Sequence, residues 1–247
     1  HEAVPRNRTL ANALVKLRLV ESSGIGRRRI FRSALVFGKR RPEYATDGHS
    51  VTLRMFNREA HDALAKLIAR LDAQGAEVAL DQLLVLDALR HRPHAVCIVP
   101  EKREERTTEG GLDAAGQHNH LAPIVARLND AGIRVSLFIE PDPRQIEAAM
   151  MLRAPVVEFH TGRYAHCEGE ERAVELRRLA DAAALAWKNG IEPHAGHGLT
   201  YENVVPVAAI PQLAELNIGH YLIGEAIFTG LEDAVRRMRV LMDEARG

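Results

Sequence analysis

The chain has 247 residues, of which 46% are hydrophobic and 27% charged, a composition typical of a globular protein with a sizeable core. Its formal net charge is zero, so the chain as a whole gives no reason to expect nucleic-acid or membrane binding. No apolar run approaches the roughly 18–20 residues that cross a membrane. Two isolated cysteines, Cys97 and Cys167, indicate no disulfide framework. We therefore expect a soluble cytoplasmic protein.

Positive charge is concentrated in residues 1–41. Eleven lysines and arginines stand there against two acidic residues, so this segment carries a formal charge of +9. A basic arm of this kind can bind phosphates or nucleic acid. The simpler interpretation, which we favour, is a solvated and partly disordered segment, and we expect no nucleic-acid partner.

Eight apolar, β-branched runs recur along the chain at intervals of about 20–40 residues. Their boundaries of glycine and proline are typical of strands that are buried on both faces of a parallel sheet. The predicted strands are Lys16–Val20, His49–Leu53, Ala76–Leu80, Ala95–Val99, Ile133–Ile139, Val156–His160, Ile191–Ala195 and Leu216–Ile223.

Amphipathic patterns between these runs predict helices. The predicted helices include residues 25–37, 60–73, 170–189 and 231–246. Eight strand–helix units in about 250 residues predict a single (β/α)₈ TIM barrel of class α/β over residues 1–247, with an atypical N-terminal quarter. A doubly wound open sheet is the alternative, but no G-x-G-x-x-G motif follows the first strand and no Walker loop is present.

Candidate functional residues follow from the barrel prediction, because the reacting groups of this fold lie at the carboxyl ends of strands. Glu77 is an acid within a predicted strand, either paired in the interior or functional. The long polar loop Pro100–Asp113 is either a mobile surface loop or a substrate clamp. His160 is more readily explained as a hydrogen-bonded core residue.

The stretch EPHAGHGLT places His194 and His197 three residues apart. This spacing suits zinc, but the sequence supplies no third ligand, so we expect no metal and favour proton chemistry. Gly198 and Gly219 follow the last two predicted strands, where barrels commonly bind phosphate through backbone N–H groups. The residues alone thus predict an enzyme that acts on a small phosphorylated substrate, with acid/base chemistry from Glu77 and His197.

Five long motifs resemble the pyridoxine 5′-phosphate synthase family. They are Cys97–Gln117, Arg134–Ala149, Val156–Ala165, Ala195–Val204 and Glu215–Leu231. The resemblance implies a TIM barrel, assembled as an octamer, without metal or organic cofactor. It also implies condensation of 1-deoxy-D-xylulose 5-phosphate with 3-amino-2-oxopropyl phosphate, which gives pyridoxine 5′-phosphate, inorganic phosphate and water.

The resemblance also implies roles for seven residues. Glu77 matches a general base and His197 matches a proton donor. Five further positions match groups that bind the two substrates: Arg54, Thr107, Gly198, Gly219 and His220. His194 stands where the family usually has asparagine, and we interpret it as a neighbour that tunes His197.

The N-terminal quarter departs from the family pattern. Thr52 occupies the place of a catalytic histidine, and neither His49 nor His61 lies at a spacing that replaces it. Glu21-Ser22-Ser23-Gly24 stands where the family has an Asn and Asp-His motif. Loss of a catalytic base lowers a rate by about 10²–10⁴-fold, so we expect impaired activity.

Three explanations of the departure stay open: a diverged relative, an active enzyme whose first quarter aligns differently, and a first segment of about 70 residues that does not encode the family's N-terminus. The alternative function is a non-catalytic barrel that binds phosphate ligands and has a basic N-terminal arm. A weaker alternative is another aldol or isomerase reaction on a phosphosugar.

Overall fold

A computed structural model describes residues 42–46, 51–55, 80–100 and 110–247, together with positions 30, 34 and 70. The chain divides into two compact units, residues 1–91 and residues 92–247. Within the described residues, no helix combines the length and apolar character that a membrane crossing requires. The predicted strand Lys16–Val20 and most of the basic segment 1–41 lie outside the described residues.

In the first unit, the described residues form a hairpin and a helix. Strands β1 (Glu43–Thr46) and β2 (Val51–Arg54) pair antiparallel, and helix α1 spans Leu80–His91. The prediction that residues 49–53 form a parallel barrel strand was therefore wrong. Four residues, 47–50, separate the two strands in the sequence, and they include Asp47-Gly48, a typical sequence signal of a hairpin turn.

The second unit contains five parallel strands in sequential order, β3-β4-β5-β6-β7. A doubly wound sheet reverses its strand order near the middle, whereas a sequential parallel order is that of a barrel. The sheet therefore confirms the prediction of an α/β barrel fold. The strand bounds are Ala95–Ile98, Arg134–Ile139, Val156–His160, Glu192–Gly196 and Glu215–Asn217.

Helices follow each of these strands along the chain. Helices α2 and α3 both contact β4, and α5 contacts β6, so the helices cover the sheet. The helix bounds are α2 His118–Asp130, α3 Pro143–Met151, α4 Gly162–His166, α5 Gly169–Lys188, α6 Val204–Ala208, α7 His220–Thr229 and α8 Leu231–Glu244.

The last predicted strand, Leu216–Ile223, was too long. Strand β7 ends at Asn217, and α7 begins at His220, three residues later. The apolar run continues through both elements, so hydrophobicity alone did not separate strand from helix. The predicted strand Ala76–Leu80 overlaps the start of α1 at Leu80, and its other residues lie outside those described.

The hydrophobic core lies on the face of the sheet that the helices cover. Alternate strand residues there, including Leu137 and Phe159, are fully buried. The buried core of the second unit extends into the helices through Val125 and Leu128 of α2 and Ala183 and Ala186 of α5, none of which is exposed. This packing fixes the strands whose carboxyl ends carry the candidate site.

We predict that Leu137→Ala lowers the free energy of unfolding by about 2–5 kcal/mol, because it opens a cavity beneath the sheet. Urea denaturation followed by circular dichroism measures the loss. Leu231→Ala is the matched control, since Leu231 is 55% exposed and its truncation costs less than about 1 kcal/mol. An equal loss in both variants would contradict the assignment of the core.

Candidate active site

The second face of the sheet is polar. Strand register aligns Cys97 with Ser136, and Glu158 with His194, so side chains at alternate positions share this face. The same alternation places Phe138 and His160 nearer the carboxyl ends of β4 and β5. The polar face therefore consists of successive layers between the amino and carboxyl ends of the strands.

The layer nearest the amino ends is an ion-pair network. Arg134 lies 2.7 Å from Glu192, and Nε2 of His194 lies 2.8 Å from the other carboxylate oxygen of Glu192. Nδ1 of His194 lies 3.8 Å from Glu215. Hydrogen bonds from Arg134 and His194 lower the pKa of Glu192. His194 is therefore held within this network by two carboxylates.

Cys97 and Glu158 form the middle layer. The thiol of Cys97 lies 3.6 Å from Oε2 of Glu158. Burial raises the pKa of Glu158, as does nearby Glu215, while Cys97 and His194 oppose the shift. Gly196 on the next strand leaves room for this carboxylate, because a Cβ there would lie 2.6 Å from Oε1 of Glu158. A carboxyl of raised pKa on the inner face is a candidate for proton exchange.

His197 lies in a strained turn just past β6. Its backbone φ is 85° and that of Gly198 is 77°, both in the left-handed region. Buried Thr161 secures the turn, since its N–H donates to the carbonyl of Gly196 and its hydroxyl lies within hydrogen-bond distance of the Gly196 and His197 carbonyl oxygens. A histidine in this backbone conformation raises the free energy of the folded state by about 1–3 kcal/mol, and such strained residues cluster at functional sites.

In the layer nearest the carboxyl ends of the strands, two imidazole rings lie next to each other. The ring centroids of His160 and His197 are 5.0 Å apart, and Phe138 meets both rings edge-on. Nδ1 of His160 lies 2.8 Å from Oε1 of Glu140, the residue that follows β4. Gly162 is essential to this packing, because a Cβ there would lie 2.5 Å from Nε2 of His160.

The structure places four of the predicted site residues on two neighbouring strand ends. His197 and Gly198 follow β6, while Gly219 caps α7 and His220 begins it, directly after β7. The N–H of His197 lies 3.4 Å from the carbonyl oxygen of Asn217, which joins the two strand ends. The roles of these four residues stay predictions.

The roles of the other three predicted site residues also stay predictions. Arg54 ends β2 in the first unit, where it lies 3.5 Å from its cross-strand partner Glu43. Glu77 and Thr107 lie outside the described residues. The interpretation of His194 as a tuning neighbour of His197 stays a prediction; the contacts described for the His194 ring are with the carboxylates of Glu192 and Glu215.

Sequence reasoning missed Glu140 and Phe138, and it assigned His160 to the core. His160 is indeed buried at 8% exposure, but it contacts the ring of His197. The signal that could have found Glu140 is its position, the first residue after β4, where the barrel rule already places functional groups. No group of three or more potential metal ligands occurs in the part of the chain that the structure describes.

Parallel strands with ionisable side chains and a strained histidine turn at their carboxyl ends define a barrel enzyme with an acid/base site. The chain matches the family described as pyridoxal phosphate biosynthesis protein PdxJ over residues 47–244. Because this match covers well over half of its length, the chain belongs to the PdxJ family.

Relatives named pyridoxine 5′-phosphate synthase are similar in sequence to this chain. The protein from Zymomonas mobilis is 66% identical over 170 residues, which cover 69% of this chain and 66% of that relative. The Rhodospirillum rubrum protein is 55% identical over 82% of this chain and 83% of its own length. A solved xylose isomerase domain protein from Planctomyces limnophilus has a TM-score of 0.40 and 14% identity over 62% of this chain and 64% of its own, a likeness too weak to carry an argument.

Desolvation and the neighbouring Glu158 carboxylate raise the pKa of the Cys97 thiol to about 12. At pH 8 the reactive thiolate is then on the order of 10⁻⁴ of the population. Cys97 is exposed, so its protection rests on the neutral form of the thiol, and we predict that iodoacetamide alkylates it more slowly in the folded Cys167→Ser variant than in urea, as mass spectrometry will show. Alkylation at equal rates in both states would contradict the prediction.

The raised pKa of Cys97 also makes the stability of the fold depend on pH in alkaline solution. The folded state favours the neutral thiol, so Cys97 has no effect on stability below its ordinary pKa of 9.0 and destabilises the fold as pH rises from 9.0 towards 12.

Proposed function

We propose that this chain condenses 1-deoxy-D-xylulose 5-phosphate with 3-amino-2-oxopropyl phosphate to form pyridoxine 5′-phosphate. The chain is a member of a family of condensing synthases of vitamin B6 biosynthesis. The proposal adds the assignment of roles to residues of this chain. The observation that carries it is the position of His197, whose ring is held against His160 in a strained turn at the carboxyl end of β6.

The chemistry of the condensation requires repeated proton transfer. The amine of one substrate attacks the ketone of the other, water and phosphate leave, and a carbon–carbon bond closes the pyridine ring. Each step moves protons, so a carboxylate and an imidazole whose pKa values suit neutral pH can carry the sequence. In our assignment His197 donates protons and Glu77 accepts them. The raised pKa of Glu158 makes this carboxyl a further group able to exchange a proton on the inner face.

Two phosphorylated substrates require two anion sites. Gly219 and His220 form the amino end of the ten-residue helix α7, whose first backbone N–H groups have no partners within the helix. Gly198 follows His197 directly and packs closely enough on Ala165 that a Cβ would lie 2.8 Å from it. We assign the aminoketone phosphate to this region, the deoxyxylulose phosphate to Thr107, and a substrate contact to Arg54.

The proposal extends to the assembly and location of the protein. Resemblance to the family supports a homo-oligomer, with an octamer as the expected form, in the cytoplasm. No nucleic-acid partner, membrane, metal or organic cofactor takes part in the proposed reaction. Thr52 stands in place of a family histidine, so we propose that turnover is slower than in relatives that keep this base.

The direct test is to incubate the purified chain with both substrates and to quantify pyridoxine 5′-phosphate by chromatography. We predict product formation, and a decrease in kcat of about 10²–10⁴-fold in His197→Asn and in Glu77→Gln, because each removes a proton-transfer group. His194→Asn is the matched control: it changes the same residue type three positions away and keeps kcat within about twofold.

Absence of product from a folded protein would refute the synthase proposal. Retained binding of either substrate in that case, measured by calorimetry, would favour the alternative of a non-catalytic barrel that binds phosphate ligands. Removal of residues 1–41 would then show whether the basic arm contributes to binding, through the salt dependence of the affinity.

A further inference from the structure

Glu140 and His160 lie at the carboxyl ends of β4 and β5, and the roles proposed above use neither of them. Nδ1 of His160 is 2.8 Å from Oε1 of Glu140, and the imidazole is only 8% exposed. Burial of an ionisable side chain is unfavourable unless it is paired, and the pair that His160 forms with Glu140 lies beside the candidate proton donor. The position of this pair indicates a function connected with His197.

The carboxylate of Glu140 orients the ring of His160. Burial raises the pKa of Glu140, but hydrogen bonds from His160, Gly111 and Arg178 outweigh burial and leave the pKa below its ordinary value. The ionised carboxylate accepts a hydrogen bond from Nδ1 of His160. Among the described residues the buried Nε2 of the same ring has no hydrogen-bond partner.

The ring of His160 forms a wall against His197. Their centroids are 5.0 Å apart, with an angle of 51° between the ring planes, and Phe138 packs edge-on against both. At Gly162 a Cβ would lie 2.5 Å from Nε2 of His160 and 3.2 Å from Cδ2 of His197, so only glycine leaves this space to the two imidazoles. Any rotation of His160 would therefore change the surroundings of His197.

We propose that Glu140 and His160 are positioning residues for His197: the carboxylate fixes the ring of His160, and that ring holds the His197 imidazole in the orientation that proton transfer requires. This inference rests on the proposed function, in which His197 donates the proton. It adds to that function two residues that the sequence motifs did not indicate.

Further contacts make Glu140 a rigid support. The backbone N–H of Gly111 donates to the same Oε1 at 3.0 Å, and Arg178 lies 3.2 Å from Oε2. Arg178 is itself held by Glu175 at 2.8 Å. Gly111 belongs to the predicted loop Pro100–Asp113, so one carboxylate oxygen joins the end of that loop to the ring that contacts His197.

A purely structural role is the competing explanation, and the fold supplies a matched control for it. His194 and Glu192 form a second imidazole–carboxylate pair, also 2.8 Å long, on the same face of the same sheet. His194 is buried to the same degree as His160, at 7% exposure. Loss of either pair should affect stability to a similar extent, whereas the ring contact described for His197 is with His160 of the first pair.

The test compares steady-state kinetics of His160→Asn, Glu140→Gln, Glu140→Asp and His194→Asn. The asparagine at position 160 retains a donor near the site of Nδ1 but removes the ring that contacts His197. We expect His160→Asn to lower kcat about tenfold to hundredfold with KM within about twofold, since misorientation affects the chemical step. We expect Glu140→Gln to lower kcat less than His160→Asn does, and Glu140→Asp to have a higher kcat than Glu140→Gln. The kcat of His194→Asn stays within about twofold of that of the unmodified chain.

Two results would overturn the proposal. One is a kcat for folded His160→Asn within about twofold of the unmodified chain, and the other is an equal loss in His194→Asn. Melting temperatures of all variants identify any general loss of fold. If His160→Asn does not fold, the comparison of Glu140→Gln with Glu140→Asp decides, because a positioning role requires the aspartate to recover kcat relative to the glutamine.

A spectroscopic measurement separates this inference from the proposed function. In ¹⁵N-histidine NMR spectra we expect the Nδ1–H form of His160, lost in Glu140→Gln, and a displaced His197 ring signal in His160→Asn but not in His194→Asn. These signals need no turnover. Absence of product with these shifts present would refute the synthase alone, whereas product formation with an unmoved His197 signal would refute the positioning role alone.

Discussion

The alternation of side chains along five parallel strands is the constraint on which the rest of this structure depends. One face buries residues such as Leu137 and Phe159 completely, so the opposite face receives every intervening side chain. Polar residues there meet across strands in register, and each layer contains both an imidazole or thiol and a carboxylate. The inner face of these five strands thus combines paired ionisable groups with apolar side chains such as Val156 and Phe138.

This arrangement gives chemically similar residues different tasks. His194 and His160 each bind one glutamate at 2.8 Å, yet the first belongs to an ion network with Arg134 and the second adjoins His197. Height along the strand makes the difference, because only the carboxyl ends open into loops that bring further groups to a substrate. The pair of histidines in EPHAGHGLT therefore divides into one residue for stability and one for proposed catalysis.

The extent of prediction from sequence follows the same logic. Strand β5 matches its predicted bounds of Val156–His160. Strands β3 and β4 deviate by one residue at one end and β6 by one residue at both ends, because continuous apolar runs bounded by glycine and proline leave few alternatives. The hairpin of β1 and β2 and the early end of β7 were not predicted, since hydrophobicity reveals neither strand direction nor a change to helix. Motif resemblance indicated His197. Contacts such as Glu140 to His160 depend on cross-strand register, which a single sequence does not display.

The backbone at His197 has a consequence for how this family member can change. At a φ of 85° every residue except glycine is under strain, and glycine lacks the imidazole. In the proposed mechanism His197 transfers protons, so selection for a more robust fold and selection for reactivity act in opposite directions at this one position. On that proposal, a lineage that no longer needed the vitamin could gain stability by replacing this histidine with glycine, and the residue found there would record whether catalysis is still maintained.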